Sequence, residues 1–237
     1  MRAHYLPLLL LPFGALCTAA QQSCDSPAAC NQAGTAAYQA GRHAEAIEAF
    51  ERQLKQAEQA EDRAAQELAL NNLMLANLKA GHAGMARAWL QVALRNDFDG
   101  AATRHNLAKV GERDVSALSA VVEGEYRRYA GQAAWSTLQI RREGTAYRAS
   151  FAPIRAGRDI EEWGPAAIGE LDGRLSGAGD YFELQDAGLA AECKVQLLRD
   201  GMRLRVLEVF ADACQEYGGA GISVAGEYFK VEAPAAR

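Results

Sequence analysis

The chain has 237 residues and a formal net charge of −5 at pH 7, from 25 Lys and Arg side chains against 30 Asp and Glu. Acidic and basic residues are interspersed and form no basic stripe, which argues against a nucleic acid partner. The length suits one large domain or two small ones.

The first twenty residues have the pattern of a secretory signal peptide. Arg2 gives a positive start, Leu6 to Leu16 form an apolar run, and Thr18-Ala19-Ala20 is a small-residue cleavage site. The run is too short to span a bilayer, and no later segment is long and apolar enough to do so. We therefore expect residues 1–20 to be removed, no integral membrane segment in the mature chain, and a periplasmic or secreted location.

The cysteines predict disulfide bonds. Cys17 suggests a lipoprotein, but Leu16 precedes it where bacterial lipoproteins carry a small residue. An even number of cysteines in an exported chain favours disulfides. The four that remain after signal removal are Cys24, Cys30, Cys193 and Cys214. Of three possible pairings, the local one joins the first two across a short loop and the last two across neighbouring strands. Metal binding is the alternative, but no Cys-x-x-Cys exists and no histidines cluster nearby, so we expect no metal and no cofactor.

Residues 27–112 are rich in alanine and other helix-forming residues. After Gly41, apolar side chains such as Phe50 and Leu54 recur at helical spacing, and the same pattern follows Gly81. The two glycines are 40 residues apart, so GRHAEAIEAFERQL (41–54) aligns with GHAGMARAWLQVAL (81–94). This spacing indicates an internal repeat of helical hairpins.

The aligned segments resemble the tetratricopeptide repeat, a 34-residue helix–turn–helix unit. The family's small residue falls on Ala46 and Ala86, and its large apolar residue falls on Phe50 and Leu90. The resemblance implies units at 27–60 and 67–100, a further first helix from 101, and an insertion at 61–66 that lengthens a second helix. The chain departs from the family at Gln53, where alanine is preferred, and it lacks the helix-ending prolines.

The resemblance also implies a concave groove, lined by the first helix of each unit, that binds a protein or peptide. The positions of this chain that fall in the groove are Asn31, Thr35, Tyr38, Gln39, Asn71, Leu75, Leu78, Lys79, His105 and Lys109. Chaperone-binding members of the family hold a C-terminal carboxylate with basic residues. The matching positions here are Asn31, Thr35, Asn72, Ala102 and Asn106. Because none is basic, we do not expect that activity. The alternative to an open groove is that the second half of the chain fills it.

From Ser116 the hydrophobic period changes to two, which is typical of strands. The predicted strands are 122–129, 135–142, 145–154, 167–175, 180–186, 191–199, 202–210 and 222–231. Tight turns at 142–144 and 199–201 favour an antiparallel meander, and closure into a barrel would remove its two free edges. The similar triplets Gly124-Glu125-Tyr126 and Gly226-Glu227-Tyr228 suit a first and a last strand that meet. We therefore predict an α+β protein, with helical hairpins over 27–112 and an antiparallel eight-stranded β-barrel or meander over 118–232.

Nothing in the sequence predicts a catalytic site. After signal removal, the histidines are His43, His82 and His105, all in the helical half, so the strand-rich half cannot build a histidine base–nucleophile pair. The segment 221–225 (GISVA) lacks the second glycine of a nucleophile elbow. The acidic cluster at 159–162 lies in a polar connection, where solvated carboxylates are expected. We expect a protein that is not an enzyme.

Two connections of the strand-rich half are candidate binding loops. The longest, 155–166, contains Ile160 and Trp163, and long ordered loops often carry binding. The segment Ser176 to Tyr181 resembles the Ser-Gly-rich, Tyr-ended loop of periplasmic C-type lysozyme inhibitors, although we favour an ordinary hairpin. These loops give a second candidate site at the barrel rim: Ile160, Trp163 and Tyr181.

The sequence thus predicts an exported, non-catalytic adaptor that binds a protein or peptide of the cell envelope. The alternative is an inhibitor or immunity protein that blocks a cell-wall-active enzyme with its rim loops.

Overall fold

The computed structural model describes residues 24–111, 116–156, 167–185, 187–214, 216–219 and 221–234. The α-helices in these ranges are α1 (Pro27–Gln39), α2 (His43–Gln59), α3 (Arg63–Lys79), α4 (Ala83–Arg95), α5 (Ala101–Gly111) and α6 (Ser116–Ala120). The strands are β1 (Gly124–Gly131), β2 (Ala134–Glu143), β3 (Ala146–Ala152), β4 (Ile154–Arg155), β5 (Ala167–Ile168), β6 (Leu171–Ala178), β7 (Tyr181–Gln185), β8 (Lys194–Asp200), β9 (Arg203–Val209) and β10 (Gly226–Glu232). The predicted fold class is confirmed: α+β, with helical hairpins followed by a closed eight-stranded antiparallel barrel. The predicted signal peptide lies outside the described residues.

The helical hairpins close with one repeated turn. Gly41 and Gly81 take positive φ angles of 74° and 86°, a conformation that suits glycine because it has no Cβ. Each turn is closed by bonds of the same pattern, such as Arg42 N–H to Ala37 O. Glu61 makes the equivalent turn between α2 and α3 with φ 55° and no glycine. The turns therefore follow each other every twenty residues along this part of the chain.

The predicted position of the insertion is wrong. Helix α2 ends at Gln59, and α3 begins at Arg63 instead of residue 67. Asp62 caps α3, because its carboxylate accepts the backbone N–H of Ala65 at 3.0 Å. The additional residues therefore form a turn and extend the start of α3, and they do not lengthen α2.

The barrel closes between its first and last strands, as predicted. The strand order is β1-β10-β9-β8-β7-β6-β3-β2, and Arg127 of β1 pairs with Phe229 of β10. Two predicted strands are wrong in extent: 145–154 is interrupted at Pro153 and 167–175 at Gly169 and Glu170, so β4 and β5 form a separate two-stranded sheet. A proline has no N–H for a ladder bond, which accounts for the first interruption. The last strand also starts four residues later than predicted.

Both predicted disulfide bonds are present. Cys24 bonds to Cys30, and Cys193 bonds to Cys214, with Cα–Cα distances of 5.0 Å in each pair. The second bridge ties the start of β8 to the segment that follows β9. Two disulfides are compatible with an exported protein.

Side chains of strand β10 contribute to both the core of the barrel and the core of the helical hairpins. Tyr228 packs inside the barrel, while Phe229 and Val231 point outward and join the core of the helical hairpins. Helix α4 approaches closely, because a Cβ added to Gly84 would lie 2.1 Å from the carbonyl oxygen of Val231. The helical hairpins and the barrel therefore share a buried apolar interface. Within the described ranges, no helix combines the length and the apolar character that crossing a membrane requires.

Candidate binding groove on the first helices

The barrel packs against the second helices of the hairpins, α2 and α4. Trp89 of α4 contacts Tyr129 of β1 and Trp135 of β2 edge-on, with ring centroids 5.7 and 4.7 Å apart. Glu58 of α2 accepts the hydroxyl of Tyr129 at 2.7 Å and the backbone N–H of Gln132. The described barrel residues therefore meet the hairpins mainly through α2 and α4, and these contacts do not support the alternative of a groove filled by the barrel.

Polar side chains join the first helices, α1, α3 and α5, side by side. Asn72 of α3 donates to Asn31 of α1 at 2.8 Å. Asn71 of α3 donates to Thr103 of α5 at 2.9 Å and accepts from Asn106 of α5 at 2.8 Å. Because buried polar groups are costly when unpaired, these bonds favour one arrangement of the three helices.

Glu67 connects α3 to the start of α5. One of its carboxylate oxygens accepts the hydroxyl of Thr103 at 2.7 Å and the backbone N–H of Gly100 at 2.8 Å. A negative charge near a helix N-terminus is favourable. The carboxylate therefore has a structural role in holding α5 against α3.

The structure places the predicted groove residues in three different environments. Gln39, Lys79, His105 and Lys109 are exposed, and Asn31, Thr35, Tyr38, Leu75 and Leu78 are half-buried. Tyr38 and Leu78 pack against the helical core, so part of each side chain stabilises the hairpins. Asn71, in contrast, is buried at 4% exposure, and its amide is occupied by the bonds between α3 and α5.

One apolar side chain of the first helices was missed as a groove residue. Leu68 of α3 is 45% exposed. Leu68, Asn72 and Leu75 are spaced at i, i+4 and i+7, which places them on one face of α3. Since Asn72 on that face reaches α1, the apolar positions border the junction between first helices. The sequence could have identified Leu68, because it precedes the predicted groove residue Leu75 at helical spacing.

The first helices are basic although the whole chain is acidic. Helices α1, α3 and α5 together carry four Lys and Arg residues and a single carboxylate, Glu67. Lys79 and Lys109 lie in the last turns of α3 and α5. The candidate groove is therefore defined by the exposed Leu68, the half-buried Leu75 and the exposed lysines Lys79 and Lys109.

The predicted rim residues are only partly described. Tyr181 begins β7, is exposed, and directs its hydroxyl to Glu183 at 3.4 Å. Ile160 and Trp163 lie outside the described residues.

In the part of the chain that the structure covers, no three His, Cys, Asp or Glu side chains are grouped to hold a metal ion. Comparison of the chain with protein-family models, curated proteins and solved structures finds no match.

Proposed function

We propose that this protein is an exported, non-catalytic adaptor whose first-helix groove binds an extended segment of a protein or peptide in the cell envelope. The observation that carries the proposal is the position of the barrel. It packs on α2 through Tyr129 and on α4 through Trp135 and Val231. This arrangement stabilises the hairpins from one side while Leu68 of α3 remains exposed.

The groove residues fit a partner segment that is both apolar and acidic. Leu68 and Leu75 offer apolar surface, and its burial on binding is favourable. Lys79 and Lys109 are exposed cations, and complementary charge increases the rate and selectivity of association. We therefore expect this tetratricopeptide-like groove to bind an extended partner segment through apolar contacts and complementary charge.

Export rests on two features. Residues 1–20 have the pattern of a signal peptide. The rest of the chain contains two disulfide bonds. Disulfides persist in oxidising compartments. We therefore place the adaptor in the periplasm or outside the cell.

The test is a selection of displayed random peptides on the purified exported protein, followed by fluorescence anisotropy with the peptides selected. We expect acidic, leucine-containing sequences. Lys79→Glu combined with Lys109→Glu should weaken their binding by about tenfold or more, because two attractive charges become repulsive. The matched control reverses two charges on the barrel, Lys194→Glu combined with Arg205→Glu, on the exposed surfaces of β8 and β9. Equal binding by the groove variant and the control would contradict the groove.

An inhibitor or immunity protein is the second candidate, favoured by the exposed Tyr181 beside the glycine-rich rim segment 177–179. Under this hypothesis, the protein reduces the activity of a cell-wall hydrolase, and Tyr181→Ala restores that activity. The groove variants should then inhibit normally. The two functions therefore predict opposite responses to the same variants.

A further inference from the structure

The helical hairpins are connected to the barrel through a segment that enters one end of the barrel. This linker, Ser116–Glu123, ends where β1 begins. Three side chains of the barrel donate to its backbone: Lys230 to Val121 O at 2.6 Å, Tyr126 to Val122 O at 2.7 Å, and Arg199 to Ser119 O. The linker is therefore fixed at this end, which we call the barrel mouth.

Two clefts open at the barrel mouth and share two lining residues, Glu123 and Arg142. The first cleft, of about 510 Å³, is also lined by Glu125, Arg141 and Glu232. The second, of about 420 Å³, is also lined by Tyr147, Phe182 and Arg199, and by the glycine-rich rim segment 177–179. Each volume is in the range of pockets that hold small molecules.

Glu123 has an unused acceptor at the junction of the clefts. The residue is only 8% exposed. Its Oε1 accepts from Nε of Arg142 at 2.8 Å, whereas Oε2 is buried without a hydrogen-bond partner among the described residues. A buried acceptor that lacks a donor is unfavourable. A ligand that carries an N–H donor would satisfy it.

The Glu123 carboxyl is held in its charged form. Burial raises its pKa, but the hydrogen bond from its own backbone N–H, the bond and charge of Arg142, and the charge of Lys230 outweigh that effect, so the pKa lies below its ordinary value. An ionised oxygen attracts a cationic donor most strongly. An ammonium group is therefore the best complement for Oε2.

Arginines next to Glu123 provide the complement for an anion. Arg142 is directed by its bond to the Tyr147 hydroxyl at 2.7 Å and by its position 4.8 Å over that ring, and it remains partly exposed. Arg199, which is nearly buried, faces Asp180 at 3.7 Å and lines the second cleft. Guanidinium groups bind carboxylates in a planar, often bidentate geometry.

We propose that the paired clefts at the barrel mouth bind a small zwitterion, an amino acid or short peptide with a free ammonium and a free carboxylate. The ammonium bonds to Oε2 of Glu123, and the carboxylate bonds to Arg142 and Arg199. Since the site lies on the barrel and uses none of the groove residues, it is independent of the proposed adaptor function.

The experiment is a titration of the ¹⁵N-labelled exported protein with glycylglycine, followed by NMR. Saturable shifts should centre on the backbone amides of Glu123, Arg142 and Gly179. Two matched probes each lack one charge: N-acetylglycylglycine has no ammonium, and glycylglycine amide has no carboxylate. Each should bind about tenfold or more weakly than glycylglycine, because each loses one charge-assisted contact.

A variant separates the two contacts. Glu123→Gln should weaken glycylglycine by about tenfold while leaving the weaker binding of N-acetylglycylglycine unchanged, since that probe has no ammonium to lose. The control is Glu143→Gln, which changes a carboxylate at the end of β2 that pairs with Arg148 and lines neither cleft. It should bind glycylglycine normally. Circular dichroism establishes that each variant is folded.

Several results would overturn the proposal. Absence of saturable shifts with glycylglycine would show that the clefts hold only solvent. Equal binding of glycylglycine and the acetylated probe would show a simple anion site, and equal binding of glycylglycine amide would show a simple cation site. Equal loss of glycylglycine binding in Glu123→Gln and Glu143→Gln would show an effect of surface charge.

Discussion

Replacement of Trp89 by alanine should destabilise the protein strongly, because this side chain joins the helical hairpins to the barrel. It is fully buried in the helical core and contacts Tyr129 and Trp135 edge-on. Removal of a buried Trp costs roughly 3–5 kcal/mol. The indole N–H is buried without a partner among the described residues, and its removal recovers part of the cost. We therefore expect a loss of about 3 kcal/mol in the free energy of unfolding.

The matched variant is Trp89→Phe, which keeps an aromatic ring and removes the unpaired N–H. We expect it to lose clearly less stability than Trp89→Ala, because Phe leaves a smaller cavity. The assay is urea unfolding followed by circular dichroism, with both variants compared at the same pH. A loss below about 1 kcal/mol for Trp89→Ala would refute the reasoning, because a contact that holds the two parts together cannot be removed at so small a cost.

Close packing at Gly84, the protonation of Glu51 and the Cys193–Cys214 disulfide should each affect stability measurably. Gly84→Ala should lower thermal stability by about 1–3 kcal/mol, because its Cβ would lie 2.1 Å from a backbone oxygen of β10; Gly111→Ala, with open space around it, is the control. Burial raises the pKa of Glu51 to about 7 from its ordinary value of 4.5, so stability should fall by about 2–3 kcal/mol as pH rises between these values, and Glu51→Gln should abolish that dependence. Replacing both Cys193 and Cys214 by serine opens a bridge of sequence separation 21 and should cost about 3 kcal/mol in urea unfolding.

Each of these predictions has a contradicting result. Equal melting temperatures for the two glycine variants would show that α4 does not approach β10 closely. The same pH dependence in Glu51→Gln and the unchanged protein would exclude this carboxyl as its source. Unchanged urea unfolding after loss of the Cys193–Cys214 bridge would show that it does not constrain the unfolded chain.

The architecture of the barrel could be predicted because its strands alternate apolar and polar residues. Leu138 and Ile140 of β2, for example, point into the core, while Gln139 between them does not. The break at Pro153 could also have been predicted, since a proline cannot complete a ladder bond. It was missed because the alternating pattern continues across it. Strand boundaries therefore require turn and proline rules in addition to periodicity.

The helical turns were only partly predictable. Gly41 and Gly81 signal left-handed positions, whereas Glu61 adopts the same conformation without any special residue type. The sequence therefore predicted a 34-residue unit with an insertion where the structure has evenly spaced turns. Local residue preference is weak evidence where tertiary packing sets the conformation.

The binding surfaces were the least predictable features. Asn71 and Asn72 are adjacent, and helical spacing alone did not distinguish the one buried between α3 and α5 from the one that bonds to α1. At the barrel mouth, Lys230 bonds to a carbonyl 109 residues earlier. Such pairs come together only when the barrel closes, so no local pattern in the sequence predicts them.

The central claim is that the groove of the first helices binds the partner while the barrel supports α2 and α4. The most direct measurement uses a selected peptide that carries a nitroxide spin label, with NMR line broadening recorded across the ¹⁵N-labelled protein. The account predicts broadening at Leu68, Leu75 and Lys79. Broadening at Tyr181 and its cross-strand neighbour Leu198, with sharp signals from those three groove residues, would contradict it.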